Sequence, residues 1–200
     1  MEMDEQAEAS RELQTDEQLV GLVTAGDTEA FGILVERYED KLLRYGRRFL
    51  WRTEDIEDIV QDVFIRAYQN IQGFDRAQRF SPWIYRIAHN AFVDVLKKRS
   101  RNPLTFIGFD FDTLIPHASY DDPAEREREQ ASLRKELDLV LGKIPPAYAE
   151  VLALYYFEDL SYKDIAEVLR VPPGTVGIRL SRARTAMKKA YEKLILSHGT

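Results

Sequence analysis

The sequence predicts an all-α chain in which two small helical domains are joined by a flexible linker and the second carries a helix-turn-helix. Three observations predict it. Apolar residues recur at spacings of three and four on both sides of the chain's middle, start and stop signals bracket each periodic stretch, and proline and glycine break the pattern between Ser100 and Pro123.

Thr15 before Asp16 and Glu17 predicts the cap of a first helix that stops at Gly26. Asp27 opens a long helix in which Phe31, Leu34, Val35, Tyr38, Leu42, Tyr45 and Phe49 form one apolar stripe, so this helix is expected to run to about Leu50. Thr53, followed by two acids, is expected to begin the next, with Ile56, Ile59, Val60, Val63, Phe64 and Ala67 inward and a stop near Gly73. Ser81 and Pro82 supply a cap and a first-turn proline for a helix through Trp83, Ile84, Ile87, Ala88, Ala91, Val95 and Leu96.

Beyond Ser100, Pro103, Gly108, Pro116 and Pro123 mark a linker. Phe109, Asp110, Phe111 and Asp112 alternate within it, but a lone strand is unstable, and the phenylalanines are expected to dock elsewhere. A helical segment follows from Ala124 to Lys143, Pro145 and Pro146 end it, and AYAEVLALYYF makes a short apolar helix. Ser161 and Asp164 form a capping box for the next helix, whose inner face is Ile165, Ala166 and Leu169. Pro173 and Gly174 start the last helix, with Val176, Leu180, Ala183 and Met187 inward. The expected division is an acidic, disordered tail over 1–14, a first domain over 15–100, a linker over 101–126 and a second domain over 127–197.

Composition removes several function classes. The 200 residues contain no cysteine, and His89, His117 and His198 are scattered, so thiolate zinc sites, disulfides and cysteine nucleophiles are excluded and neither metal nor cofactor is expected. No apolar run is long enough to span a membrane and the N-terminus lacks a secretion signal, so membrane insertion is not expected and the expected location is cytoplasmic.

The net charge of -6 is unevenly placed. Met1 to Val20 carries -6 and Arg101 to Arg126 carries -3, whereas Gly21 to Ser100 carries +1 and Glu127 to Thr200 carries +2. Two strongly basic segments emerge, Arg76 to Arg101 with Asp94 as its single acid and Val171 to Thr200 with Glu192 as its single acid. A basic run is usually only a solvated helix face, so charge alone does not establish nucleic-acid binding.

The C-terminal pair adds more. A short turn, a small residue (Ala166) at the crossing and a one-sided basic second helix suit entry into the major groove, with Thr175, Arg179, Ser181, Arg182, Arg184 and Lys188 as candidate DNA contacts. The bland alternative is a surface amphipathic hairpin. In the first basic segment, Phe74, Phe80, Trp83, Tyr85 and Phe92 interleave with cations, a pattern that suits unpaired bases but is equally that of an ordinary core with a solvated face. Upstream, Glu54, Asp55, Glu57, Asp58 and Asp62 make an acidic face that repels DNA and suits a basic protein surface.

These residues together resemble a family, the bacterial extracytoplasmic-function (group 4) RNA polymerase sigma factors, over roughly Thr15 to Leu196. EDIEDIVQDVFIRAYQNIQGF is similar to the helix by which these factors grip the clamp helices of the largest subunit of core RNA polymerase. FSPWIYRIAHNAFVDVLKKRSR is similar to their promoter-melting segment, with Trp83, Ile87, Ala88 and Asn90 in its pattern, and LSYKDIAEVLRVPPGTVGIRLSRARTAMK to their upstream-element reader. The resemblance implies a transcription initiation factor rather than an enzyme, with no catalytic residue. It implies core-polymerase contacts at Asp58, Gln61, Asp62 and Phe64, contacts to the downstream (-10) promoter element at Phe74, Arg79, Trp83, Arg86, Asn90, Lys97 and Arg99, and contacts to the upstream (-35) element from the six residues of the last helix. A flipped base would sit in the loop around Gly73 to Phe80, the linker would thread toward the polymerase active site, and an anti-sigma factor would be a further partner. Gly177 and Ile178 depart from the family, which commonly has a basic residue and then a serine there. A stand-alone helix-turn-helix regulator is the nearest rival but leaves Trp83 to Asn90 unexplained. A helical hydrolase using the Glu54 to Asp62 carboxylates lacks a histidine pair or phosphate loop.

Overall fold

The computed structural model describes residues 13–50, 52–99 and 140–198. The tail, the linker with its Phe109 to Asp112 alternation, and nearly all of the predicted helix from Ala124 lie outside them. The described residues form seven α-helices and one 3-10 turn, with no strand among them.

Local chemistry sets most helix starts. Thr15 Oγ1 accepts from the Gln18 amide while the Gln18 side chain accepts from the Thr15 amide, a capping box that opens α1 (Asp16–Thr24). The chain reverses at Gly26, whose φ of +107° favours glycine. The Asp27 carboxylate then accepts from the Glu29 and Ala30 amides and opens α2 (Glu29–Gly46). Leu34, Tyr38, Leu42 and Tyr45 are buried along it as the spacing requires.

α2 stops at Gly46 instead of continuing to Leu50. A Cβ at Gly46 would lie 2.4 Å from Phe92 Cζ and 2.6 Å from Ile56 Cγ2, so the position is a close crossing that only glycine fits. The chain then turns and folds Phe49 and Leu50 inward, with Phe49 stacked on Phe92 at 5.1 Å.

α3 (Thr53–Asn70) begins at Thr53, as expected. Arg52 occupies the cap position without a side-chain hydrogen bond, and Glu54 and Asp55 complement the exposed amides by charge alone. The 3-10 turn Ile71–Gly73 ends it. α4 (Phe80–Arg99) starts one residue before Ser81, because its Phe80 amide is satisfied from another helix, by Glu17 Oε1 of α1 at 3.0 Å. These four helices enclose one core, in which Phe80, Tyr85 and Phe92 are fully buried beside Tyr45.

In the second domain Val140 and Leu141 close a helical turn, and α5 (Pro146–Tyr156) starts with proline in its first turn, where the missing N–H has no helical acceptor to lose. Ser161 and Asp164 form the expected capping box of α6 (Tyr162–Leu169). That helix ends at Arg170, in the left-handed conformation (φ 52°). α7 (Pro173–His198) buries Val176, Leu180, Ala183, Ala190 and Leu194 against α5 and α6, with Met187 half-buried.

The two domains meet where α4 packs on α6. Arg79 Nη1 lies 3.5 Å from Asp164 Oδ2 and donates to the Asp159 carbonyl at 3.4 Å. Glu150 of α5 is only 5% exposed, the one buried charged residue among those described, and its Oε1 accepts from the Tyr45 hydroxyl at 2.5 Å and lies 2.8 Å from His89 Nδ1.

Candidate functional site

Three surfaces hold the residues singled out in the sequence. The first is a groove of about 740 Å³ between α2 and α3. Phe31, Val35, Leu43, Phe64, Ile65 and Tyr68 form its apolar lining, while Glu39, Glu57, Asp58 and Gln61 stand along it as a polar rim. Asp58 and Gln61 are exposed there, whereas Phe64 belongs mostly to the core at 7% exposure. Asp62 is exposed but does have a basic complement, since Arg66 pairs with it at 3.2 Å one turn on. Ile65 and Tyr68 complete the apolar lining and were not anticipated. Their signal was two large apolar residues three apart on α3, both off its buried stripe. An apolar trough rimmed by acids is shaped for an amphipathic helix with a basic margin.

The second surface is the start of α4 with the loop before it. Its aromatics are core more than surface. Phe74 is 7% exposed, edge-on to Phe80 and Trp83, and Trp83 is half-buried. Phe74 therefore offers no open stacking face here, in keeping with the reading of these aromatics as core. Several cations are engaged: Arg76 donates to Thr24 Oγ1, Arg79 reaches Asp164, and Lys97 lies 3.8 Å from Asp94. Arg86 and Asn90 are half-buried along α4, and Arg99 ends it.

The third surface is the outer face of α7. Ser181, Arg182, Thr185, Lys188 and Lys189 are exposed, and Thr175 and Arg179 are half-buried. Arg182 has no hydrogen-bond or ion-pair partner among the described residues. Neither Asp164 nor Glu167 of the preceding helix pairs with it, and Asp164 receives Arg79 from the first domain. Arg184 differs: its Nε donates to the Tyr156 hydroxyl at 3.0 Å and its guanidinium lies over the Tyr155 and Tyr156 rings. Lys188 makes only a long, exposed pair with Glu192 at 4.0 Å.

Burial pushes the Glu150 carboxyl up, but the His89 ring and the Tyr45 hydroxyl outweigh it and hold the group below its ordinary value. This cluster joins the two domains. Among the described residues, no three of His, Cys, Asp and Glu are arranged to hold a metal ion, and no helix is long and apolar enough to cross a membrane.

Two family models match the two domains. The Sigma-70 region 2 family matches residues 34–102, from α2 through α4, and the Sigma-70 region 4 family matches residues 134–187, which span α5, α6 and most of α7. The ECF RNA polymerase sigma factor SigW of Bacillus subtilis is 34% identical, aligned over 86% of this chain and 94% of its own. The chain belongs to the ECF RNA polymerase sigma factors. The RNA polymerase sigma-H factor of Pseudomonas aeruginosa is 36% identical over 90% of this chain and 95% of its own. The fold is similar to that of CnrH, solved with the cytosolic domain of CnrY, with a TM-score of 0.63 at 24% identity over 90% of this chain and 99% of that one. As a member of this family the sigma factor directs RNA polymerase to promoters in transcription initiation. The region 2 match is what a stand-alone helix-turn-helix regulator would lack.

Proposed function

We propose that this sigma factor divides its work among the three surfaces. The acid-rimmed groove of region 2 seats the clamp helices of core polymerase, with Asp58 and Gln61 at the rim, Asp62 beside it and Phe64, Ile65 and Tyr68 supplying apolar contact. Arg79, Trp83, Arg86, Asn90, Lys97 and Arg99 contact the downstream element as it opens, and Phe74 supports Trp83 from the core. In region 4, Thr175, Arg179, Ser181, Arg182 and Lys188 contact the upstream element in the major groove, while Arg184 buttresses α7 against α5. An anti-sigma factor is a further partner, the site of action is cytoplasmic, and the chain falls in group 4.

The observation that carries this reading is the opposition of surface chemistries on one chain. An apolar groove edged by carboxylates repels DNA and suits protein, while α7, packed on α5 and α6 by its buried stripe, presents Ser181, Arg182, Lys188 and Lys189 on an exposed outer face.

Run-off transcription from a random promoter library, with core polymerase plus this chain, tests it. Enrichment of a two-part promoter motif only when both are present is expected, and no enrichment over core polymerase alone refutes it. For Asn90, permanganate footprinting is the sharper probe. Asn90→Ala is expected to reduce thymine reactivity in the bubble while closed complexes still form, since an amide reads base edges that only separated strands expose.

A further inference from the structure

Helix α7 breaks two local preferences in succession at Gly177 and Ile178. Glycine is among the least favourable residues inside a helix, and usually only a close crossing or an unusual dihedral justifies it. Neither holds here: a Cβ at Gly177 would meet Tyr162 Cε2 at 3.6 Å, an ordinary contact, and its backbone is not left-handed. Ile178, beside it, is β-branched and 56% exposed. It stands apart from the buried stripe of Val176, Leu180 and Ala183, and one turn before Arg182 on the outer face. Two adjacent residues that favour neither the helix nor the core mark a surface selected for something outside the chain.

We propose that Ile178 reads the 5-methyl group of a thymine in the upstream promoter element, and that Gly177 clears the space in which the helix backbone approaches that base pair. The proposal rests on the reading of α7 as the helix that enters the major groove. Isoleucine has no hydrogen-bonding group and gains nothing from a phosphate, whereas the thymine methyl is the one apolar group that base edges present in the major groove. Ile178 is flanked by Thr175 and Arg179 and followed by the unpartnered Arg182, so its surroundings suit nucleic acid rather than an apolar protein surface. One helical turn advances about 5.4 Å. The thymine is therefore expected within about two base pairs of the one that Arg182 contacts, at roughly 3.4 Å per step.

The test uses holoenzyme reconstituted from core polymerase and the full chain, on the upstream element selected from a random library. Each thymine is replaced in turn by deoxyuridine, which removes only the methyl group, and affinities are measured for wild type, Ile178→Ala and Ile178→Val. Wild type is expected to lose about fourfold in affinity at one thymine, the equivalent of one methyl contact. Ile178→Ala should bind thymine and deoxyuridine duplexes alike, Ile178→Val should keep most of the discrimination, and both variants should melt as wild type does because the side chain is exposed. The assignment is overturned if wild type discriminates at no position, if the selected element contains no thymine, or if Ile178→Ala keeps the same penalty. Equal weakening of all duplexes by Ile178→Ala, scrambled ones included, places the residue on polymerase instead and also overturns it. A scrambled upstream element separates this from the parent reading: if scrambling leaves wild-type affinity unchanged, α7 does not read that element and both fall, whereas sensitivity to scrambling without methyl discrimination defeats Ile178 alone.

Discussion

In α4 the rings of Phe80, Tyr85 and Phe92 are fully buried, and three cations in or just before the helix, Arg76, Arg79 and Lys97, find partners in Thr24, Asp164 and Asp94. In α7, similar in its share of basic residues, the buried stripe is aliphatic and Arg182 and Lys189 have no partner among the described residues. The glycines differ in the same sense. Gly46, which α4 crosses, has no room for a methyl group, while Gly177 of α7 has room and does without one. A similar share of basic residues therefore conceals different packing: one helix is built into a core, and the other is held by a narrow stripe that leaves its outer face open.

The comparison breaks first at the glycines. Gly46→Ala forces a Cβ against Phe92 and Ile56 and is expected to destabilise the first domain by about 3 kcal/mol, read as an early transition in thermal unfolding. An unchanged melting curve would mean that the α2–α4 crossing is looser than described.

Next is Arg182. Arg182→Ala is expected to weaken holoenzyme binding by about 1 to 3 kcal/mol and to relax preference at one upstream base pair, with no change in melting. Lys188→Ala should weaken all sequences alike and lower the salt slope by about one. Affinities across upstream-element variants at several salt concentrations check both. Loss of stability with an unaltered preference profile would assign Arg182 to internal packing.

Glu150 tests the seam between the regions. Glu150→Gln removes the charge that His89 and Tyr45 stabilise and is expected to lower stability at neutral pH by about 1 to 2 kcal/mol. Because the folded carboxyl lies below its ordinary value of about 4.5, its contribution is present above that pH and is lost as pH falls through the depressed value. Thermal unfolding of wild type and Glu150→Gln should therefore differ at pH 7 and converge on acidification below about 4.5. The smallest effect is a gain: Gly177→Ala should stabilise α7 by about 0.5 to 1 kcal/mol while reducing promoter affinity, a split that melting and holoenzyme binding read separately.

What could be foreseen follows the range of the forces involved. The cap at Thr15, the capping box at Ser161 and the stripe of α7 depend on residues within a few positions, and local pattern was enough for them. The end of α2 was not foreseeable in this way, since Gly46 halts it against Phe92, 46 residues on. Nor was the start of α4, whose first amide is satisfied by Glu17. For the site, the acids of α3 and the cations of α7 were legible as charge patterns. The apolar lining of the groove was not, because Phe31, Val35 and Leu43 come from a different helix than Ile65 and Tyr68. The Tyr45, His89 and Glu150 cluster joins residues up to 105 positions apart and leaves no trace in local sequence.

The division of labour between groove and recognition helix is tested most directly by reversing charge at the groove alone. The double variant Asp58→Lys with Asp62→Lys alters two exposed side chains of α3, one on the groove rim and one beside it, and should change stability by only about 0.5 kcal/mol. Binding to purified core polymerase is measured for the folded variant beside wild type, with circular dichroism of both as the control. Loss of holoenzyme formation with an intact helical spectrum is the expected result, and assembly at wild-type levels would contradict the assignment of the groove to core polymerase.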